Sequence, residues 1–442
     1  MDNLTKIGEG LRFDCLKGVN MTDQKVMNRL WVIVGAILIQ LCLGSIYAWS
    51  VFTPSLVAEG WTKGMTQGIF AASLAFFAIV MVVAGRMMPD IGPRALAVSG
   101  GAVLGIGYIL AGLAGGTDFW SLFFLIGIVG GSGIGLAYVV PITVGMRWFP
   151  DKKGLITGLA VAGFGFGATL WVKLAGAWGH MIVDMGISKT FIIYGVIFIF
   201  GIFIGGFFMV FPPAGWRPSG YNPDAPASGG ATKAAIIDIQ SGQMLRTPQF
   251  YMIFFTFVFG ASAGLMSIGL MKLFPMVALT ANGVPNASAV AGTAMAFFFS
   301  IANGIGRIAW GAMSDKLGRK KSIIIMMATQ GIIVILFQWM AGTPALLFLG
   351  ATLIGFNFGG NFALFPTITA DTFGVKFIGQ NYGWVFLAYG VGGIFGPMLG
   401  GKLGDTGNFP MAFTICGVLC LAAAFIISKV KPPQSVIAIA SE

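Results

Sequence analysis

The sequence predicts an all-α integral membrane protein with twelve transmembrane helices, arranged as two six-helix bundles related by pseudo-two-fold symmetry. Three observations support this fold class. The 442-residue chain is 57% hydrophobic and only 9% charged, too little charge to cover a water-facing surface. Apolar stretches long enough to cross a bilayer recur along the whole chain. Short motifs of the first half return in the second half at a nearly constant offset.

Twelve apolar stretches have the length of a membrane span, about 20 residues. They alternate with short polar or glycine-rich connections, as expected of a polytopic protein. In chain order, the predicted spans are residues 31–52, 66–88, 95–115, 119–144, 155–180, 190–211, 248–272, 289–313, 322–341, 345–370, 381–401 and 409–428.

These spans divide the chain into five predicted units. Residues 1–28 mix charged and polar groups without a continuous apolar core, which predicts a cytoplasmic tail rather than a cleaved signal, with Met21 as an alternative start. Residues 29–211 and 248–430 are the two six-helix bundles. Residues 212–247, rich in Pro, Gly, Ser and Ala, are expected to form a cytoplasmic loop that tethers the bundles. Residues 431–442 are a second cytoplasmic tail.

The net charge of +11 is distributed as expected for a membrane protein, and it does not indicate nucleic-acid binding. With the N-terminus inside, the lysines and arginines other than Arg307 fall on the cytoplasmic side, apart from five on or near the outer side. These exceptions are Lys63, Lys173, Lys189, Lys272 and Lys402. Such a bias predicts that both termini lie in the cytoplasm. A multi-pass protein of the cell's inner membrane is therefore expected.

The two halves repeat each other. Residues 85–92 align with residues 311–318 at an offset of 226, and Gly131, Gly135 and Phe149 align with Gly355, Gly359 and Phe373 at an offset of 224. Two nearly equal offsets favour a parallel repeat. In membrane proteins of this kind, a binding site forms near the midplane between halves that rock against each other.

Arg307 is the one arginine placed well inside a predicted span. A guanidinium stays charged there, so it normally faces a water-filled cavity or an anionic partner. All fifteen acidic residues fall in tails, loops or span ends, which suggests that the missing anion is a substrate. Asn303 lies one turn earlier on the same face, where it is expected to donate a second hydrogen bond to the same anion. In the alternative interpretation, Arg307 bonds helix carbonyls of the other half and Asn303 joins neighbouring helices.

Four stretches carry a resemblance to a known family. GAMSDKLGRKK at residues 311–321 resembles the signature loop of the major facilitator superfamily. RWFPDKKGLITG at 147–158, SGQMLRTPQF at 241–250 and FALFPTITADTFG at 362–374 resemble the oxalate/formate antiporter family, which is related to the monocarboxylate transporters. The resemblance implies the major facilitator fold and transport by alternating access. Because Pro89 stands where the first-half copy should carry its acid, the gating pair is expected only in the second half, at Asp315 and Arg319.

The same resemblance implies the composition of the substrate site. Oxalate-exchanging members carry a lysine on span eleven as a second cation, and Tyr389 occupies the matching position here. A single cation pairs with a single carboxylate, whereas a dianion would keep an uncompensated buried charge. Lactate, pyruvate or formate is therefore favoured, with oxalate/formate exchange as the alternative. The implied aromatic walls of the site are Tyr47, Tyr138, Phe358, Phe362 and Phe386.

Other classes of protein are disfavoured. With one histidine and no acid at membrane depth, the sequence offers no nucleophile and base pair and no metal set, so neither an enzyme nor a cofactor is expected. A receptor without net transport would need an output domain, and the tails and loops are short. Proton symport and anion exchange both remain open. The carrier is expected to work as a monomer, with a small carboxylate and a coupled proton or counter-anion as its partners.

Overall fold

A computed structural model describes residues 27–176, 178–221 and 238–430, without the side chains of Lys63 and Asp405. Most of the predicted N-terminal tail, residues 222–237 of the predicted tether, and residues 431–442 lie outside this range. The alternative start at Met21 lies outside it as well.

Within the described residues, twelve helices are long and apolar enough to cross a membrane, which confirms the predicted number of spans. Each is an amphipathic or wholly apolar segment that can satisfy its backbone hydrogen bonds internally, as lipid requires. In chain order they are α1 (Leu30–Ala58), α2 (Gly64–Ile91), α3 (Pro93–Leu113), α4 (Phe119–Trp148), α5 (Lys153–Ala175), α6 (Met181–Phe207), α7 (Pro248–Leu270), α8 (Ala287–Leu317), α9 (Arg319–Met340), α10 (Pro344–Phe373), α11 (Ile378–Gly404) and α12 (Phe409–Ser428).

The helices form two six-helix bundles, α1–α6 and α7–α12, in a major facilitator fold. Within the bundles, α3 packs along α6, α7 along α11 and α9 along α12. The bundles meet mainly where α5 packs on α8 and α2 packs on α11. Glycine makes the first of these contacts close, because a Cβ at Gly158 would collide with the carbonyl of Arg307. The end of the molecule at which α1 begins and α12 ends is called the basic end below.

Side-chain caps define several helix starts. The Thr62 hydroxyl accepts a hydrogen bond from Met65 N at the start of α2, and Thr247 caps α7 through Phe250 N. Asp118 caps α4, and the hydrogen bond that it accepts from the backbone N–H of Ser121 lowers the pKa of its carboxyl. Thr and Asp are among the residues preferred at the N-terminus of a helix, because their side-chain oxygens accept hydrogen bonds from the first free N–H groups.

Local distortions lie inside several spans. A 3₁₀ segment, Gly44–Val51, interrupts α1, and π-helical segments occupy Phe123–Gly130 in α4 and Ala294–Phe299 in α8. The last of these directly precedes the turn that carries Asn303 and Arg307, and π segments are frequent near functional sites. In α6 the helix starts earlier than the predicted residue 190, because a further short helix precedes the kink at Gly186, where φ is 80°.

Candidate functional site

Arg307 lies between the two bundles, on the face of α8 that packs against α5. Its side chain is 0% exposed, so it faces neither lipid nor bulk water. Nη1 donates a hydrogen bond to the carbonyl of Val161 on α5 (2.9 Å), and Nε donates to Oδ1 of Asn303 (3.2 Å). Within the described ranges, no acidic side chain forms an ion pair with it. The positive charge of Arg307 therefore has no counter-anion among these side chains.

One nitrogen of the guanidinium remains available. Nη2 of Arg307 is buried and donates no hydrogen bond to the described residues. The Tyr47 hydroxyl lies close to the guanidinium. The contact with Val161 agrees with the structural interpretation of this arginine, while the free Nη2 agrees with the substrate interpretation. A charged donor left unpaired in a buried site costs free energy unless a ligand or water occupies the position.

Aromatic rings surround this cation. The Cζ atom of Arg307 lies 4.1 Å from the ring centroid of Phe362 and 5.8 Å from that of Phe164. The first contact is a close cation–π interaction, which partly offsets the lost hydration of the charge. Tyr389 packs against Phe362, with ring centroids 5.3 Å apart, and against Phe386 at 5.1 Å. Tyr389 and Phe362 therefore belong to the wall around Arg307.

Two phenols bridge the bundles at this point. The hydroxyl oxygens of Tyr47 on α1 and Tyr389 on α11 are 2.5 Å apart and form a hydrogen bond. Each phenol carries one proton, so one hydroxyl donates to the other and only the accepting hydroxyl keeps its proton for a third partner. A carboxylate held by Arg307 is a suitable third partner. The free Nη2 of Arg307 and the accepting phenol thus offer two donor groups to one anion.

Further polar atoms around the site have no partner among the described residues. They are the hydroxyls of Tyr138 and Tyr382 and the side-chain oxygens of Gln40 and Asn361, all of them buried. An unpaired buried polar group costs about 1–3 kcal/mol. Among them, the hydroxyls of Tyr138 and Tyr382 interact electrostatically with Arg307, so they suit a site that receives a polar guest. The described residues contain no group of three or more His, Cys, Asp or Glu that could hold a metal ion.

The predicted site residues do not all converge. Tyr138 and Phe386 pack on each other, with centroids 5.3 Å apart, and form the wall next to Tyr389. Phe358 instead packs against Phe299, and its ring fills the space that Gly264 leaves open. It touches Phe362 at 5.5 Å but lies outside the group around the guanidinium.

Sequence reasoning missed two aromatic residues of the site. Phe164 lies in a glycine-rich stretch, GFGFG, which on sequence grounds suits close helix packing and does not indicate a binding wall. Tyr382 lies one residue after Asn381, near the start of α11. A signal that could have pointed to it is its polar hydroxyl on an apolar helix, seven residues or about two turns before Tyr389.

Charged residues close the basic end. Asp315 accepts hydrogen bonds from Gly154 N (3.0 Å) and Leu155 N (2.8 Å) at the start of α5, in the other bundle. It also pairs with Arg319 at 2.6 Å. The negative carboxylate thus meets the positive end of a helix dipole. Among the described residues, the partners of Asp315 in the other bundle are thus backbone amides and not a cation.

The cation that links the two bundles at this end is Lys153, and its partner is Asp371 and not Asp315. Nζ of Lys153 lies 3.0 Å from Asp371 on α10, and Nε of Arg319 lies 3.0 Å from the second oxygen of the same carboxylate. Lys153 and Asp371 were missed, since charged residues at span ends are usually interfacial and carry no signal of pairing. Lys153, Asp315, Arg319 and Asp371 are called the first latch below.

We expect Asp371→Asn to loosen the first latch, because a neutral amide cannot balance the charges of Lys153 and Arg319. Breaking one partner of a largely buried ion network is strongly unfavourable. Spin labels at Lys152 and Lys321, which are exposed and lie in opposite bundles, report the separation of the halves. The open fraction should rise by about tenfold. Asp90→Asn, at an exposed acid of the same end, is the control, and an equal response of both variants would contradict the assignment.

Comparisons with known proteins agree with this fold. The family model of the Major Facilitator Superfamily matches residues 262–441. The chain is 29% identical over 382 residues to the uncharacterized MFS-type transporter YhjX of Escherichia coli (strain K12), covering 85% of this chain and 88% of that protein. It is 27% identical over 416 residues to the oxalate:formate antiporter of Oxalobacter formigenes, covering 92% of each.

Two more distant proteins extend the comparison. The apicoplast pyruvate carrier 1 of Toxoplasma gondii is 22% identical over 512 residues, covering 95% of this chain and 92% of that protein. Among solved structures, the MFS proton:xylose symporter XylE bound to 6-bromo-6-deoxy-D-glucose has a TM-score of 0.67. It is 15% identical and covers 93% of this chain and 98% of that chain. This last likeness concerns the fold alone.

Twelve spans in two bundles, with a buried cation between them, suit a membrane carrier that binds its substrate between two halves. More particularly, the matched family model and the relatives make this chain similar to transporters of the major facilitator superfamily, and the solved structure shares its fold.

Proposed function

We propose that the protein carries small monocarboxylates across the cell's inner membrane by alternating access, with Arg307 binding the carboxylate. The observation that carries this proposal is the fully buried guanidinium between the bundles, with a free Nη2 and no acidic partner in the described part of the chain. A planar guanidinium fork suits a carboxylate, which can accept two parallel hydrogen bonds from it.

Several features favour a monoanion such as lactate, pyruvate or formate. Tyr389 contributes a neutral hydroxyl beside Arg307, so a single positive charge faces the guest. A second carboxylate would remain without a counter-charge in a desolvated site. The pyruvate carrier of Toxoplasma gondii is a relative with such a substrate in its name.

Oxalate/formate exchange is the second candidate. It is favoured by the 27% identity to the oxalate:formate antiporter over 92% of both chains. In this case Tyr47 and Tyr389 would hydrogen-bond the second carboxylate without neutralising it. The two candidates predict opposite preferences between lactate and oxalate, so a competition assay separates them.

The basic end is proposed to face the cytoplasm, so that both termini lie there. Arg29, Arg86, Arg147 and Lys320 are among the cations at this end, as the positive-inside rule requires. With the first latch closed, the site is shut from the cytoplasm. The carrier is proposed to act as a monomer, since each chain contains both bundles and the whole site.

Coupling to a proton and coupling to a counter-anion are both compatible with this site. Arg307 has no carboxylate or histidine partner among the described residues that could carry the proton beside it. A symported proton would then travel with the substrate, whereas an exchanger would need a second anion to return. Counterflow in vesicles distinguishes them, because strict exchange requires internal anion and symport follows an imposed pH gradient.

The test of the proposal is uptake by the purified protein in liposomes. Labelled lactate, pyruvate and formate should accumulate above protein-free vesicles, and unlabelled monocarboxylate should compete better than oxalate. The same short carboxylates should raise the melting temperature as their concentration passes Kd, because a ligand that binds only the folded state stabilises it. Absence of flux or exchange with every carboxylate would contradict the proposal and favour a receptor without transport.

A further inference from the structure

The end of the central loop packs against the second bundle at the basic end. Oδ1 of Asp238 accepts a hydrogen bond from Lys376 N in the α10–α11 connection (2.9 Å). The neighbouring Ile239 N donates to the carbonyl of Phe373 (2.9 Å), and Nδ2 of Asn381 donates to the carbonyl of Ile239 (2.8 Å). Ile239 is buried as well. This part of the loop is therefore bound between the end of α10 and the start of α11, unlike a free tether.

The same connection is held from the other bundle. Arg147, in the last turn of α4, donates from Nη2 to the carbonyl of Lys376 (2.8 Å). The Arg147 guanidinium lies 3.8 Å from the ring centroid of Phe211, which holds it in place. Lys376 is thus bonded through its N–H to Asp238 and through its carbonyl to Arg147. The two side chains carry opposite charges and attract each other across this residue.

Because the two halves repeat each other, the contact between α2 and α11 can be compared with the equivalent contact between α8 and α5. In the first latch, Asp315 at the end of α8 accepts hydrogen bonds from the start of α5. The equivalent acid at the end of α2 would reach the start of α11, and the helices do meet there, because a Cβ at Gly85 would collide with the carbonyl of Gly379.

The acid itself is missing from this second contact. Pro89 occupies its position, and Asp90, one residue further on, is exposed. Asp90 forms no ion pair with the residues that the structure describes. The start of α11 also lacks a side-chain cap of its own. A carboxylate from elsewhere in the chain is therefore required if this side is to resemble the first latch.

We propose that Asp238 is a gating residue, and that the central loop supplies the carboxylate of a second latch at the basic end. The second latch consists of Asp238, the backbone of Lys376, and Arg147. The bonds of Asp238, Ile239 and Asn381 all lie on the side of the second bundle, so they move with α11. When the bundles separate, the contact that must break is the one between Arg147 and Lys376, which Asp238 holds in position and strengthens by its charge.

The two latches differ in the segment of the chain that supplies their carboxylates. The carboxylates of the first latch lie at the ends of α8 and α10, whereas the carboxylate of the second latch lies in the connection between the bundles. It follows that changes in the central loop should alter how often the basic end opens. The predicted role of residues 212–247 as a simple tether would give no such effect, since a tether limits distance and does not bind a closed state.

Spin labels at Lys152 and Lys321 test the proposal in the full chain without any substrate. Asp238→Asn should raise the ratio of open to closed molecules by about two- to fivefold, because the amide removes an exposed negative charge that attracts Arg147. Asp90→Asn is the matched control at the same end and should leave the distance distribution unchanged. Arg147→Gln should act in the same direction as Asp238→Asn, and the double variant should add little to either change.

Two results would overturn the proposal. One is an unchanged distance distribution in Asp238→Asn with the protein folded. The other is an equal shift of the distance distribution in Asp90→Asn, which would assign the gating carboxylate to the α2–α3 turn and not to the central loop. If Asp238→Asn does not fold, Arg147→Gln carries the same expectation and decides the matter. Since no carboxylate is added, a failure here is separate from a failure of the proposed transport activity.

Discussion

Replacement of Arg307 by lysine is expected to reduce carboxylate uptake by about 100-fold. In the structure, one guanidinium bonds the Val161 carbonyl, bonds Asn303 and still has a free nitrogen for a guest. A lysine ammonium is a point charge that cannot make these contacts in one plane. Loss of a charged, paired hydrogen bond costs roughly 1.5–3 kcal/mol, which corresponds to about 10- to 150-fold in affinity.

The measurement is the initial rate of lactate or pyruvate uptake in liposomes with equal amounts of each variant. Arg94→Lys is the matched control, because Arg94 also donates to a helix carbonyl, that of Phe207, but lies at the exposed basic end. Arg94→Lys should transport like the parent protein. Uptake by Arg307→Lys at the parent rate would remove the argument for capture of the carboxylate by the guanidinium fork. Thermal unfolding should confirm that both variants remain folded.

The membrane explains why the spans and the central cation could be predicted from the sequence. A bilayer of fixed thickness demands apolar segments of fixed length, so the twelve spans follow from composition along the chain. The same low dielectric makes an arginine within a span expensive, so Arg307 indicates a special environment. Both inferences use local sequence and a property of the solvent, and neither needs knowledge of contacts between helices.

The latches could not be predicted in the same way. Lys153 and Asp371 lie 218 positions apart in the sequence and pair only because α5 and α10 meet at one end of the bundles. Asp238 lies in a loop whose composition indicates a linker, and its partner is a backbone N–H that has no sequence signal. The missing acid at Pro89 is visible in the sequence, but its replacement depends on where the loop returns. Contacts of this kind depend on the tertiary fold.

The distortions of the helices were also beyond sequence reasoning. The kink at Gly186 and the π-helical turns before Arg307 depend on packing against neighbouring helices, and glycine or an apolar run permits many backbone forms. The placement of Phe358 is another example. Helical periodicity correctly places it near Phe362, but only the packing against Gly264 and Phe299 decides that it lies away from Arg307.

Tyr389→Lys is expected to shift the preference of the carrier from monocarboxylates toward oxalate. The hydroxyl of Tyr389 bonds Tyr47, and its ring packs on Phe362, the same ring over which Arg307 lies. An ammonium in this position would supply a second positive charge, which stabilises a dianion and leaves a monoanion with one cation unpaired. The ratio of oxalate to lactate affinity, measured by competition for uptake, should rise by at least about tenfold.

Tyr389→Phe separates the effect of charge from that of the lost hydroxyl. It removes the hydrogen bond to Tyr47 and adds no charge, so it should weaken binding of all carboxylates by a few-fold without a shift toward oxalate. The lysine variant alone should change the order of preference. If it still prefers lactate, then the number of cations around the site does not decide between monoanion and dianion. Selectivity would then have to come from the shape of the aromatic walls, to which Tyr47, Phe164 and Phe386 belong.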